Sequence, residues 1–247
     1  MPLSFRKKFL VPLSEVTPCY AQKPFHFLNM LQDAADGAVE AMRPPESYWT
    51  NGCGWMLLQY TIRLDHPLRA MESGVINTGH DLQRDLYSIR RFILEDDAGK
   101  EFGMADSKWV YVDLAKRRPQ RLSHKLPPEI IENAEKEGFK AIFQNPTKLE
   151  RVDSQTKLRV RMGELDINGH VNNAWYLSWA AEAVPKEIYM TCGIKDVDIQ
   201  FKHEALSGME LTIDTQQDGM TFRHEIKNGE TLLAFCSVTW AKMPEVV

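Results

Sequence analysis

Two long apolar segments, each followed by a train of strand-like runs, constrain this chain more than any other feature. In the first, Phe27, Leu28, Leu31, Ala35, Ala38, Val39 and Met42 recur at helical spacing, and Pro44-Pro45 stops the segment. The second runs from Asn173 to about Ile188, with Pro185 marking a break or a new turn. There Trp175, Leu177, Trp179, Ala180, Ala181, Ala183 and Val184 leave little polar face, so this helix must be enclosed on most sides. The first train is Trp55 to Asp65, Val75 to Leu82, Leu86 to Leu94 and Glu101 to Asp113, with Asp96-Asp97-Ala98-Gly99 as a tight connection. The second is Asp196 to His203, Met209 to Gln216, Thr221 to Lys227 and Thr231 to Lys242. Asn228-Gly229 predicts a hairpin, because both central positions of that turn type favour positive φ. One helix followed by four or five antiparallel strands, twice over, predicts an α+β chain whose sheets each wrap a central helix. A charged segment from about Leu122 to Gln155, holding Pro127-Pro128 and Asn145-Pro146, joins the halves. It is expected to contain a short helix near Glu129 to Glu137.

Composition narrows the class. A content of 43% hydrophobic residues in 247 supplies ample core for one large domain or two small ones. No stretch approaches the roughly 18 uncharged apolar residues of a membrane helix, and the start lacks the sustained apolar region of a secretory signal. Cys19, Cys53, Cys192 and Cys236 are scattered, without a Cys-x-x-Cys pair. They read as buried thiols in a reducing compartment, so cytoplasmic residence is expected, with no disulfide framework and no metal. A net charge of −4 argues against nucleic acid as a partner.

The chemistry concentrates in Asp166-Ile-Asn-Gly-His-Val-Asn-Asn, just before the second apolar helix. An acid, three amides and an imidazole lie where backbone N–H groups at a helix start point outward without partners. Such a group of residues can bind and polarise a carbonyl. Asn172 or Asn173 reads equally well as the helix N-cap. Asp166, Asn168 and His170 stand at alternate positions, which would place their side chains on one side of an extended lead-in. The matching place in the first half, around Thr17 to Leu28, has no such motif, and the isolated His26 is expected to be structural.

The motif resembles the second half of the acyl-acyl-carrier-protein thioesterases of plants and bacteria. Ser107-Lys-Trp-Val-Tyr-Val-Asp, Lys116-Arg-Arg-Pro-Gln-Arg-Leu, Leu126-Pro-Pro-Glu-Ile and Ile199-Gln-Phe-Lys-His-Glu-Ala match further segments of that family in order. The similarity runs from about Phe9 to Met243. It implies a tandem hotdog: residues 1–125 as a scaffold with most of the acyl-chain pocket, 126–155 as a linker, and 156–247 as the catalytic half. It also implies hydrolysis of fatty acyl thioesters on acyl carrier protein, with no cofactor.

By the same resemblance, Asn168 and His170 would orient the carbonyl or its oxyanion, and Asp166 would hold a neighbour or act on water. Glu204, placed on the later strand, would be the general base. Its pKa would be raised in a partly dry pocket. Asn172 and Asn173 would contribute the helix N-terminus to substrate binding. Many plant members carry a cysteine after that glutamate, and here Ala205 stands there, so water attack is expected in place of an acyl-enzyme. Acyl carrier protein is acidic. Arg117, Arg118 and Arg121, within a cluster that includes Lys116 and Lys125, would contact it or would form a solvated basic turn; Arg90-Arg91 are further candidates. The small residues Ala34, Ala35, Gly37 and Ala38 would make room for a chain or pack closely against the sheet.

Three other readings stay open. An acyl-CoA thioesterase shares Asp-x-x-Gly-His-Val-Asn-Asn and uses the aspartate as base. A hydratase or dehydratase of the same fold is opposed by Gly169, where proline is usual. An acyl-binding sensor would require a DNA-binding segment or a ruined motif, and neither is visible. A monomer and a homodimer are both compatible with the chain, as is any acyl length.

Overall fold

The structure, a computed structural model, describes residues 5–134, 138 and 140–244. Among them the order is β1 (Phe5–Leu10), α1 (Pro24–Ala41), α2 (Glu46–Thr50), β2 (Cys53–Leu64), β3 (Ser73–Gln83), β4 (Tyr87–Asp96), β5 (Glu101–Asp113) and β6 (Arg118–Pro119). There follow α3 (Leu122–Lys125), α4 (Pro128–Glu132), β7 (Ser154–Arg159), α5 (Asn173–Glu182), α6 (Lys186–Thr191), β8 (Cys192–Phe201), β9 (Glu210–Asp218), β10 (Thr221–Asn228) and β11 (Thr231–Lys242). Two compact units result. One holds Met1–Phe9, Met30–Tyr60 and Ser73–Phe143, and the other Leu10–Asn29, Thr61–Glu72 and Gln144–Val247.

In the first unit the strands neighbour one another in the order β1-β3-β4-β5-β2, with β6 added to β5. The antiparallel register sets His80 beside Arg90 and Arg90 beside Ser107, with Ser88 opposite Trp109 two residues along. Strand alternation therefore directs Ser88, Arg90 and Trp109 to one face. Leu31, Ala34, Ala35 and Ala38 of α1 are buried. Gly37 is a close-packing position, since a Cβ there would sit 3.0 Å from the Phe5 ring. Leu122, Leu126 and Ile130 form a core cluster with Tyr48 and Tyr111, so the start of the joining segment is packed. The expected helix near Glu129 to Glu137 is realised as Pro128–Glu132; Glu135, Lys136 and Glu137 lie outside the described residues.

In the second unit the order is β8-β11-β10-β9-β7. Helix α5 buries Ala174, Tyr176, Leu177, Trp179, Ala180 and Ala181 and packs against β10 and β11. Its apolar surface on nearly every side is the reason it is enclosed. Pro185 ends this segment and precedes α6. The β10–β11 hairpin forms, with Gly229 and Glu230 between the paired Asn228 and Thr231. Of those two central residues, Gly229 alone has positive φ, +57°. Three strands were not anticipated, the two-residue β6 in the basic turn among them. β7 reads Ser-Gln-Thr-Lys-Leu-Arg and lies at the end of its sheet, largely exposed, so it lacks the apolar alternation that reveals a strand. β1 alternates Arg and Lys with partly buried residues and was masked by its charge.

Candidate active site

The motif forms a closed turn. Leu165 and Val171 bridge as antiparallel partners, and the Asp166 amide donates to the His170 carbonyl at 2.7 Å. The Asp166 carboxylate folds back over the turn: Oδ1 accepts the amides of Asn168 at 2.8 Å and His170 at 3.3 Å. Gly169 closes it at φ +76°, in the left-handed region. The extended lead-in expected from alternate spacing is thus overturned, because an aspartate that can accept amides two and four residues on favours a turn. Asn168 is exposed at its tip, while Asp166 and His170 are half-buried.

Helix α5 starts directly after the turn. Asn172 is its N-cap, with Oδ1 accepting the Ala174 amide at 2.9 Å, and Nδ2 donates to Asn29 Oδ1 at 3.4 Å. The capping interpretation therefore holds for Asn172, while Asn173 is the first helical residue.

Glu204 is not on a strand. Strand β8 ends at Phe201, and Glu204 lies three residues beyond it, in the loop leading to β9. That loop is fastened at two points. The Val171 amide donates to the Ala205 carbonyl at 3.0 Å, joining it to the motif turn. The Ala205 amide donates to Tyr176 Oη at 2.8 Å, and that hydroxyl donates to the His203 carbonyl at 3.4 Å. These bonds bring Glu204 Oε1 to 3.6 Å from His170 Nδ1. Both side chains keep partial exposure, 32% for His170 and 26% for Glu204, so solvent can reach them. Burial, reinforced by the nearby Glu204 charge, raises the Tyr176 phenol far above its ordinary value, so it stays protonated as a donor. Sequence reasoning missed Tyr176, which in one-dimensional terms is another aromatic on a core helix.

The same unit contains a second copy of the turn. Val16 and Gln22 bridge, the Thr17 amide donates to the Ala21 carbonyl at 2.8 Å, and Tyr20 occupies φ +64° where Gly169 stands in the other copy. The Gln22 amide reaches the Leu68 carbonyl at 2.8 Å, as Val171 reaches Ala205, and Lys23 reaches Glu15 as Asn172 reaches Glu164. Thr17, Cys19 and Ala21 take the places of Asp166, Asn168 and His170, so the backbone repeats and the chemistry does not. His26 lies 3.5 Å from Glu15, both partly exposed.

The remaining candidates fall elsewhere. Arg117, Arg118 and Arg121 belong to the first unit and are exposed; Arg117 turns the chain at φ +51°, and Arg121 lies 3.7 Å from Asp85. Arg90 is buried, and Arg91 is fixed to Asp106 by two hydrogen bonds of 2.7 and 2.8 Å, so neither presents a surface charge. Cys192 and Cys236 are buried, and burial raises the Cys236 thiol far above the usual range. Neither can serve as a thiolate nucleophile. Among the described residues, no three His, Cys, Asp or Glu side chains cluster as metal ligands would.

Comparison with known proteins matches both halves. The model of the acyl-ACP thioesterase N-terminal domain covers residues 2–133, and that of the C-terminal domain covers residues 147–242. The chain belongs to the acyl-ACP thioesterase family. It is 32% identical over 222 residues to oleoyl-acyl carrier protein thioesterase 2, chloroplastic, of Arabidopsis thaliana, covering 81% of this chain. It is 31% identical over 223 residues to the oleoyl-acyl carrier protein thioesterase of Coriandrum sativum, covering 82%. The matches span 59% of the length of each of those relatives. A putative oleoyl thioesterase from Lactobacillus plantarum superimposes with a TM-score of 0.84 at 21% identity, over 98% of this chain and 97% of that one. The 12:0-ACP thioesterase from Umbellularia californica gives 0.82 at 18%, over 96% and 97%. The fold of this acyl-ACP thioesterase family member is the tandem hotdog.

Proposed function

We propose that this chain hydrolyses the thioester of fatty acyl-acyl carrier protein, releasing free fatty acid and holo carrier protein. The observation that carries the reading is the approach of His170 Nδ1 to Glu204 Oε1 at 3.6 Å beside the N-terminus of α5. Glu204 is assigned as general base and takes a proton from water as the water oxygen adds to the acyl carbon. His170 and the exposed Asn168 side chain donate to the carbonyl oxygen as it gains charge, with Asn172 and Asn173 setting the helix end beside it. The carbon–sulfur bond then breaks, and the thiolate leaves with a proton returned from Glu204. Asp166 is assigned a positioning role, because its Oδ1 already accepts two backbone amides. Catalysis is assigned to residues 156–247 and the scaffold to 1–125, joined by 126–155. The exposed Arg117, Arg118 and Arg121 are assigned to carrier-protein steering. Four free cysteines support residence in the reducing cytoplasm.

The acyl-CoA reading keeps one supporting observation, an aspartate in the turn. Thiol release from an acyl panel, presented on acyl carrier protein and on coenzyme A at equal concentration, separates the two. A strong preference for the carrier protein is expected and would also give the chain length. Equal or faster release from coenzyme A would move the assignment to acyl-CoA hydrolysis. Release from neither would discard thioester hydrolysis.

A further inference from the structure

The first residues of α1, Pro24 to Asn29, belong to the same unit as α5 and the motif turn. Phe25 lies against Trp175 of α5, with ring centroids 4.4 Å apart. Asn29 stands one helical turn further along α1, at the i+4 position, and so shares that face. Its Oδ1 accepts from Asn172 Nδ2 at 3.4 Å. Trp175 follows Asn172 by three residues, so two pairs hold the start of α1 against the start of α5.

The cap dictates which way the Asn29 amide faces. Asn172 Oδ1 is occupied by the Ala174 amide at 2.9 Å, so its Nδ2 is the atom left to face α1. A donor needs an acceptor opposite it, which puts Oδ1 of Asn29 at the contact and leaves Nδ2 of Asn29 outside it. Among the described residues those two N–H groups have no protein partner. Asn29 and Asn172 are both half-buried, and neither is sealed from solvent. The cap does not need Asn29: Asn172 caps through Oδ1, and a partly exposed Nδ2 can be hydrated. Asparagine is also a poor helix former, because its side chain competes for backbone groups. An amide at this place weakens α1 and adds nothing to the cap. It does supply a pair of N–H donors beside the helix end to which the acyl carbonyl is assigned.

We propose that Asn29 is a catalytic residue, whose Nδ2 donates to the thioester carbonyl oxygen, alongside His170, as that oxygen gains charge. This rests on the hydrolysis proposed above and gives the first half of the chain a direct part in the reaction. A side-chain amide suits the task, since it is neutral and its orientation is set by Asn172 before the charge develops.

The experiment is steady-state hydrolysis and a thermal melt of the full chain as wild type, Asn29→Ala and Asn29→Asp. The substrate is the acyl thioester that wild type releases fastest in the panel above. Asn29→Ala removes the acceptor and the donors together, whereas Asn29→Asp keeps an acceptor for Asn172 and removes the donors. Both are expected to lower kcat by about 100-fold, with KM changed by less than about threefold and the melt unchanged. Recovery of wild-type kcat in Asn29→Asp would make Asn29 a positioning residue that acts through Asn172, and would overturn the proposal. A raised KM at unchanged kcat overturns it too, by moving the contact to the pantetheine arm. So does wild-type behaviour in both variants, an outcome that leaves hydrolysis itself standing. Absence of hydrolysis by wild type would overturn both proposals, and the wild-type arm alone shows it. If Asn29→Ala fails to fold, Asn29→Asp carries the test, because it preserves the shape of the side chain.

Discussion

Tyr176 Oη accepts the backbone amide of Ala205 at 2.8 Å, and through that bond helix α5 holds the loop that carries Glu204. The same helix begins at the motif turn, so one rigid element fixes both partners of the His170–Glu204 pair. The geometry of that pair follows from a residue that belongs to neither side of it.

Tyr176→Phe leaves the ring in place and removes the hydroxyl. The buried Ala205 amide loses its acceptor, at a cost of about 1–3 kcal/mol. Glu204 drifts from His170, and kcat falls by about 10- to 100-fold with KM little changed. Steady-state kinetics beside a thermal melt check both parts. Unaltered kcat with a lowered melting temperature would confine Tyr176 to stability.

Glu204→Gln is expected to lower kcat by about 10²–10⁴ without moving the melting temperature, since the side chain is partly exposed. Asp166→Ala should lower both kcat and the melting temperature, because the turn loses two amide-to-carboxylate bonds worth about 1–2 kcal/mol together. Full activity in Glu204→Gln would remove Glu204 from the mechanism. An unchanged melt in Asp166→Ala would show that its carboxylate does not hold the turn.

Acid should destabilise the chain well before its carboxylates titrate. Burial holds His80 near pKa 4 and His224 near 3, against about 6.5 in the unfolded chain. Both are depressed, so their contribution is complete above pH 6.5 and is lost as pH falls toward 4 and 3. Between those limits the unfolded chain binds two more protons, and stability falls by up to nearly 3 kcal/mol per pH unit. Urea midpoints from pH 7 to 4.5 measure the slope. His224→Gln should roughly halve it, and a flat wild-type profile would contradict the burial of both rings.

Iodoacetamide should leave activity intact while labelling Cys19 and Cys53, which are partly exposed, and sparing the buried Cys192 and Cys236. Peptide mass spectrometry locates the label. Stoichiometric inactivation that substrate prevents would establish a thiol nucleophile.

The strands Glu101–Asp113 and Thr231–Lys242 were legible to the residue because their apolar content and flanking turns agree. The helix before the second train was legible for the opposite reason, since an all-round apolar segment has no surface to show. Edge strand β7 offered neither signal. At the site, residue types suggested the chemistry proposed above, but alternation suggested the wrong backbone: the Asp166 carboxylate bends the chain that periodicity reads as straight. The clamp by Tyr176 depends on a contact 29 residues away in sequence, which no local pattern encodes.

The two copies of the turn answer to different demands. In residues 17–23 the shape alone repeats: Thr17, Cys19 and Ala21 stand where the other copy carries Asp166, Asn168 and His170. Residues 166–172 would have to satisfy the shape and the proposed reaction together. A library randomised at both places and sorted first for folding, then for turnover, would lose diversity once in the former and twice in the latter. The first copy is also a vacant socket: its backbone already presents the positions on which a second set of side chains could be installed without redesigning the fold.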